Sequence, residues 1–308
     1  MHEADNAKVV FVCSPDMEAV KIGNEHINEF LYNDPVDTST LALQHSGMIS
    51  TILKNTINIR VINLYPLIDL EVQDKTNLVF VRDSFICVDD GVILCRMKES
   101  VRRKEVSCLH HAMNVHKIPI LGSIQHGFLE GGDVFLCGEA CMIGVGPRST
   151  IQGALEFVDI PGVRCKKLFV VHPYQYDSDM HRIHLDCIFG IVNKETCVVW
   201  EELLDVETML SYTRLVDEYE RDDEKGRWYV KRTNIHFGTF LKERFLHVLP
   251  ISTASQQKYG CNILHLSKDM ILVQDLESYE KIRGGKYIPF QEVHKMYGGI
   301  RCATNVLR

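Results

Sequence analysis

The chain has 308 residues, of which 45% are apolar and 24% charged, and its formal net charge is -7 at neutral pH. This is ordinary globular usage, so wholesale disorder is excluded, and the acidic balance argues against nucleic acid, whose phosphates call for basic surface. A cationic small molecule remains compatible with that balance.

Eleven cysteines, an odd number, read as free thiols of a reducing compartment rather than a disulfide framework. No Cys-x-x-Cys occurs. Neither Cys137 with Cys141 nor Cys108 beside His110 and His111 has the paired spacing of a structural zinc site, so no metal is expected. The segment from Met1 to Lys8 is polar, and no stretch approaches the roughly 20 apolar residues of a membrane span. The expectation is a cytoplasmic protein with no membrane partner.

In chain order, Lys8 to Cys13 reads as a buried strand stopped by Ser14-Pro15-Asp16. Thr38 or Ser39 is placed to cap a helix whose apolar residues Leu41, Met48, Ile49 and Ile52 recur at helical spacing. Strands are expected over Ile59 to Leu64, Leu78 to Val81 and Gly91 to Met97, with Arg82-Asp83 at the tip of the second. A helix follows from Glu99 to His116, with Arg102 and Arg103 near its start. Arginines there oppose the helix dipole. They are either solvated surface charges or a grip on a substrate carboxylate.

Glu130-Gly131-Gly132-Asp133 interrupts a strand pattern that resumes at Val134, and reads equally as a hairpin turn or as a site wall where backbone must approach closely. A strand from Cys141 to Val145 leads to Ser149 and Gln152, a capping-box pair, with Arg148 just before it. After a strand at Phe169 to His172, the polar loop up to Arg182 has the length for a lid. Strand alternation through His184-Leu185-Asp186 puts His184 and Asp186 on one side, a candidate polar site. Asp205 is expected to cap a helix through Val206, Met209, Leu210, Leu215 and Val216 into a solvated charge run at 217–225. Late strands are expected at Phe245 to Leu249 and Met270 to Val273, then a short helix from Phe290 to Tyr297 closed by Gly298. Cys302 follows on a glycine-rich turn. Strands alternating with helices give an α/β fold, and Asp83, Asp133 and Asp186, at intervals of 50 and 53 residues, hint at a repeated unit.

Val12-Cys13-Ser14-Pro15, Phe80-Val81-Arg82-Asp83, Glu130-Gly131-Gly132-Asp133, His184-Leu185-Asp186 and Gly298-Gly299-Ile300-Arg301-Cys302, in that order, resemble the arginine deiminase and amidinotransferase (pentein) superfamily, most nearly arginine deiminases. The resemblance implies a five-bladed propeller of ββαβ units and one catalytic domain over residues 1–308. It makes Cys302 the nucleophile, His184 the general acid and base, Glu130 its orienting partner, and Asp83 with Asp186 a guanidinium clamp. Asn77, Arg102 and Arg148 match positions at the amino-acid end of the substrate. The implied reaction is hydrolysis of L-arginine to citrulline and ammonia, without metal or organic cofactor. Related readings are hydrolysis of a methylarginine or citrulline, amidino transfer to an amine, or a non-catalytic binding protein on the same fold. Homo-oligomerisation is left open. Two departures stand out: the helical segment inserted before the Asp83 motif in bacterial arginine deiminases has no room here, and Tyr297 replaces an arginine five positions before the cysteine.

Overall fold

The computed structural model describes residues 1–207, 209–210 and 212–308. Strand β1 (Val9–Val12) is buried along its whole length, as its run of β-branched and aromatic residues requires, and pairs in parallel with β2 (Arg60–Asn63) after an 18-residue helix, Thr38–Asn55. β3 (Phe85–Val88) and β4 (Gly91–Leu94) form a hairpin, and β5 (Ile120–Ser123) returns through short helices to join β4 in parallel. The pattern recurs with β6 (Val134–Cys137), β7 (Ala140–Gly144) and β8 (Lys167–Pro173), linked through the helix Ile151–Asp159. It recurs again with β9 (Phe189–Ile191) and β10 (Thr196–Trp200). Here a hairpin of β11 (Arg214–Asp222) and β12 (Arg227–His236) extends the preceding sheet at β8 before the helix Phe237–Arg244 leads to β13 (His247–Ile251), parallel to β10. β14 (Leu264–Ser267), β15 (Met270–Val273) and β16 (Gly285–Tyr287) repeat the pattern once more. β17 (Asn305–Leu307) pairs antiparallel with β1, so the first sheet contains both ends of the described chain.

Among the described residues there are thus five sheets, each with an antiparallel pair and a parallel third strand. The recurrence explains the spacing of the acidic residues. Asp83, Asp133, Asp186, Asn262 and Cys302 lie on the turns just before β3, β6, β9, β14 and β17. The first strand of each repeat is buried, so a side chain on the turn ahead of it is held on a rigid base.

Several sequence expectations change in the tertiary setting. Residues 78–81 form a turn, and Asp83 precedes a strand instead of ending one. The span 99–116 breaks into a 3-10 turn, Ser100–Arg102, and two short helices, Arg103–Ser107 and Leu109–Val115. His184 and Asp186 are not on a strand: Leu185–Cys187 is a 3-10 turn. The helix expected from Asp205 is replaced by β11, and residues 208 and 211 of that span lie outside the described residues. The charge run became strand because its acids find cross-strand partners: Arg232 donates to Glu218 at 2.6 and 2.8 Å, and Lys231 to Glu220 at 2.5 Å.

Caps shift by one residue as well. Asp37 caps the long helix, and Thr150 caps the helix after β7 because the Ser149 hydroxyl is donated to Asp133 at 2.6 Å. Tyr297 rather than Gly298 takes the left-handed backbone, with φ of 60°. Gly298 is required for a different reason: a Cβ there would lie 2.1 Å from the Phe80 ring. No helix among the described residues is long and apolar enough to cross a membrane.

Phe189 shows how the core supports this arrangement. It is fully buried and meets Phe135 at 5.1 Å and Phe237 at 5.7 Å between ring centroids, just below the His184–Asp186 turn. Phe189→Ala is expected to lower unfolding stability by about 3–5 kcal/mol in urea titration, the usual cost of emptying such a position.

Candidate active site

The turns ahead of β3, β9 and β17 converge on a narrow cavity. Of the residues singled out from sequence, Asn77, Asp83, Arg102, Arg148, His184 and Cys302 line it. Glu130 and Asp186 lie one layer behind, the first against His184 and the second against Cys302.

His184 Nε2 and Glu130 Oε2 are 2.8 Å apart, while Nδ1 stands 3.8 Å from Asp83 Oδ1. Gly132 makes room for the ring, since a Cβ there would come within 2.9 Å of both His184 Nδ1 and Asp83 Oδ1. The paired glycines therefore serve close approach. Burial opposes charging of His184, but the carboxylates of Asp83, Asp133 and Glu130 outweigh it and raise its pKa to about 10. Burial likewise opposes ionisation of Glu130, yet His184, then Arg148 and Arg102, hold its pKa down at about 2. Asp83, Glu130 and His184 place donor atoms within 4.8 Å of one another, the spacing of a cation site. Asp133, whose burial lifts it to about 7, anchors the turn by accepting from Leu185 N–H at 2.8 Å and from Ser149 at 2.6 Å.

Asp83 Oδ2 accepts from Arg102 Nη1 at 2.7 Å, whereas its buried Oδ1 has no hydrogen-bond partner among the described residues. An orphan carboxylate oxygen at a cavity wall is an acceptor awaiting an N–H donor. Arg102 donates both Nε and Nη2 to the buried Glu105 at 2.9 Å, so its nitrogens are already engaged. Arg148 is less committed: it is buried, 3.7 Å from the half-exposed Glu99, with Met180 Sδ at 3.9 Å. Asn77 donates to Phe30 C=O at 3.0 Å, which fixes its amide at the wall.

At the other wall, Cys302 Sγ lies 3.7 and 3.8 Å from the two oxygens of Asp186. Burial, then Asp186 and Asp83, push the thiol well above its usual range. Sequence reasoning missed Asn262. Its Oδ1 accepts from the N–H groups of Arg301 at 2.8 Å and Cys302 at 3.3 Å, which leaves Nδ2 to donate to Cys302 Sγ at 3.1 Å. It lies 76 residues after Asp186, against intervals of 50 and 53 before it, because the β11–β12 hairpin lengthens this repeat, so the spacing did not point to it. Gly299 permits this packing, because a Cβ there would sit 2.6 Å from Asn262 Oδ1 and 2.3 Å from Gln274 Nε2.

The polar loop beside the cavity is fastened in place. Asp177 accepts from Arg182 at 3.0 and 3.1 Å and from Arg214 at 3.0 Å, and the Arg182 guanidinium stacks over Trp200. Tyr297, where an arginine was anticipated, donates its hydroxyl to Asn33 at 3.0 Å and sets its ring edge-on to His181.

Two outcomes follow. Asn262→Asp places a carboxylate on the sulfur in place of an N–H donor, and is expected to slow iodoacetamide alkylation of Cys302 at least about tenfold at pH 9, one pKa unit being tenfold in thiolate. For the His184–Glu130 pair the signs are opposite. His184 contributes stability fully below its ordinary 6.5 and loses it as pH rises through about 10. Glu130 contributes above its ordinary 4.5 and loses it as pH falls through about 2. Glu130→Gln is therefore expected to destabilise most near pH 5–6 and to converge with the parent above pH 10 in denaturant titrations.

An arginine deiminase family profile matches residues 33–308. The chain is similar to the arginine deiminase of Halobacterium salinarum, 23% identical over 77% of this chain and 65% of that protein. A second relative, the arginine deiminase of Listeria monocytogenes, is 27% identical over 38% of this chain and 30% of its own length. The matched region thus spans less than two thirds of these relatives. Among solved structures it is similar to DDAH from Pseudomonas aeruginosa complexed with citrulline, with TM-score 0.69, 15% identity and coverage of 98% and 100% of the two chains. It is also similar to the N-terminal domain of ArgZ, an arginine dihydrolase from Cyanobacteria, with TM-score 0.71, 14% identity and 97% of each chain covered. Both are pentein-fold structures with the same mixture of small sheets and helices. With a family match over most of its length, this chain belongs to the arginine deiminase family.

Proposed function

We propose that the protein hydrolyses the guanidinium C–N bond of free L-arginine through a covalent intermediate on Cys302, giving L-citrulline and ammonia. The observation that carries this reading is Asp83, which lines the cavity with Cys302, His184 and Arg148 and whose Oδ1 accepts no hydrogen bond among the described residues. A guanidinium offers the N–H donors that oxygen lacks, and its positive charge suits a site with several carboxylates. Asp83 and Asp186 clamp the cation, Arg148 takes the substrate carboxylate with Arg102 behind it, and Asn77 borders the amino-acid end. We also read the five sheets as blades of one propeller and the chain as one catalytic domain, acting in the cytoplasm on the strength of its eleven unpaired cysteines.

In the resting site the thiol is protonated. The arriving cation offsets Asp83 and Asp186 and lowers the cost of a thiolate; the thiol gives its proton to water, and the thiolate attacks the guanidinium carbon. His184, held by Glu130 through Nε2, gives a proton from Nδ1 to the departing nitrogen. Ammonia leaves, and an amidino-thioether remains on Cys302. His184 then takes one proton from a water whose oxygen attacks the same carbon; the C–S bond breaks as the remaining hydroxyl proton passes to sulfur, which releases the neutral ureido product and restores the thiol.

Leu31, Phe80, Met180, Ile183 and Met296 also line the cavity, and their apolar surface favours a second reading in which an N-methylated arginine is the substrate. The test is product and ammonia release from L-arginine, N-methylated arginines, agmatine and citrulline, with Cys302→Ala alongside. Citrulline from arginine, abolished in the variant, is the expected result. Turnover confined to methylated arginines selects the second reading, and failure of every compound to give cysteine-dependent ammonia overturns both.

A further inference from the structure

Behind Asp186 lies a buried cation with a counter-ion of its own. Arg301 donates Nη1 to Asp186 Oδ2 at 2.9 Å, Nε to Glu3 Oε1 at 3.1 Å and Nη2 to Val134 C=O at 2.8 Å. Its guanidinium lies over the Phe135 ring, 4.0 Å from the centroid. The side chain is 1% exposed, Asp186 is fully buried and Glu3 is 11% exposed. With three directed bonds and a stacked face, the guanidinium cannot swing away, and the carboxylate it grips is the one in contact with Cys302 Sγ. Glu3 is itself fixed, its N–H donating to Leu136 C=O at 2.7 Å.

We propose that Glu3, Arg301 and Asp186 form a positioning relay that aims Asp186 at the nucleophile and sets the charge felt by Cys302. This rests on the reading of Cys302 as nucleophile. The charge arithmetic shows why three members are needed. A bare Asp186 beside the sulfur would suppress the thiolate. An arginine alone would cancel the aspartate and leave Asp83 to attract a cationic substrate unaided. The added glutamate gives Arg301 a counter-ion of its own, shared with the nearby Arg82 and Arg308, so that Asp186 keeps more of its negative charge. The same order recurs at the opposite wall, where Glu105 holds Arg102 and Arg102 holds Asp83. Both aspartates of the proposed clamp are thus backed by an arginine, and each arginine by a glutamate.

The test follows alkylation of Cys302 by iodoacetamide at pH 9, read by peptide mass spectrometry. The reagent is neutral and needs no turnover, so the result is independent of which substrate, if any, is hydrolysed. Arg301→Gln is expected to slow alkylation at least about tenfold, because Asp186 loses its counter-charge and the thiol pKa rises by about one unit or more. Arg301→Lys keeps the charge and is expected to stay within about threefold of the parent. Glu3→Gln removes negative charge and is expected to speed the reaction. A purely structural lesion would expose the thiol and accelerate all three variants. Acceleration of Arg301→Gln, a lysine variant as slow as the glutamine one, or slowing by Glu3→Gln each overturns the relay. Where Arg301→Gln does not fold, the lysine and Glu3 variants decide.

Discussion

The structure around the cavity depends on balancing buried negative charge. Asp83, Glu130, Asp133 and Asp186 all lie within or just behind one wall of side chains, each at most a few percent exposed. Uncompensated, such a group would take up protons and lose its attraction for a cation. Each is met instead by a specific donor: Arg102 for Asp83, His184 for Glu130, Ser149 and a backbone N–H for Asp133, Arg301 for Asp186. Of these four, Asp83 lines the cavity, and its Oδ1 accepts no hydrogen bond among the described residues.

The fold supplies these donors by repetition. Every repeat sends its first strand into the core from a short turn, and the turn carries the polar group. Because a short buried strand tolerates little sliding, the turn residues are fixed to the same degree as the core beneath them. Glycine enters where two turns must touch. Gly132 admits the His184 ring, and Gly299 admits Asn262 and Gln274 beneath the cysteine. The pairing of β17 with β1 brings Cys302 to the same centre as residues from the other repeats, although it lies far from them in sequence.

Tyr297, a difference from the family pattern, falls at the cavity rim, while the motif residues Asp83, His184 and Cys302 line the same cavity. Tyr297 stands where an arginine was anticipated and joins the Asn33 turn to the loop containing His181. That loop is tied by Asp177 to Arg182 and Arg214. The contacts at this rim therefore differ from those the sequence pattern implies, so the proposed guanidino chemistry has more support than any proposal for the rest of the ligand.

The sequence by itself determined which residue types stand in the candidate site and that the unit carrying them recurs. The motifs around Asp83, Glu130, His184, Asp186 and Cys302 were legible because reactive groups sit beside glycines and buried strands, and the near-equal intervals between the aspartates were a true sign of the repeat. It also located most buried strands, whose apolar runs leave little alternative. Only the tertiary structure decided partnerships. Arg102 read as either a solvated charge or a carboxylate grip, and packing buries it between Glu105 and Asp83; the charge run after Val216 read as a solvated helix end and loop, whereas Arg232 and Lys231 face it from the next strand. Asn262, Arg301 and Glu3 carried no recognisable signature, since an amide or an ion pair gains its meaning from groups distant in the chain. Local periodicity reports which face is buried; which charge answers which is settled only when separate repeats pack against one another.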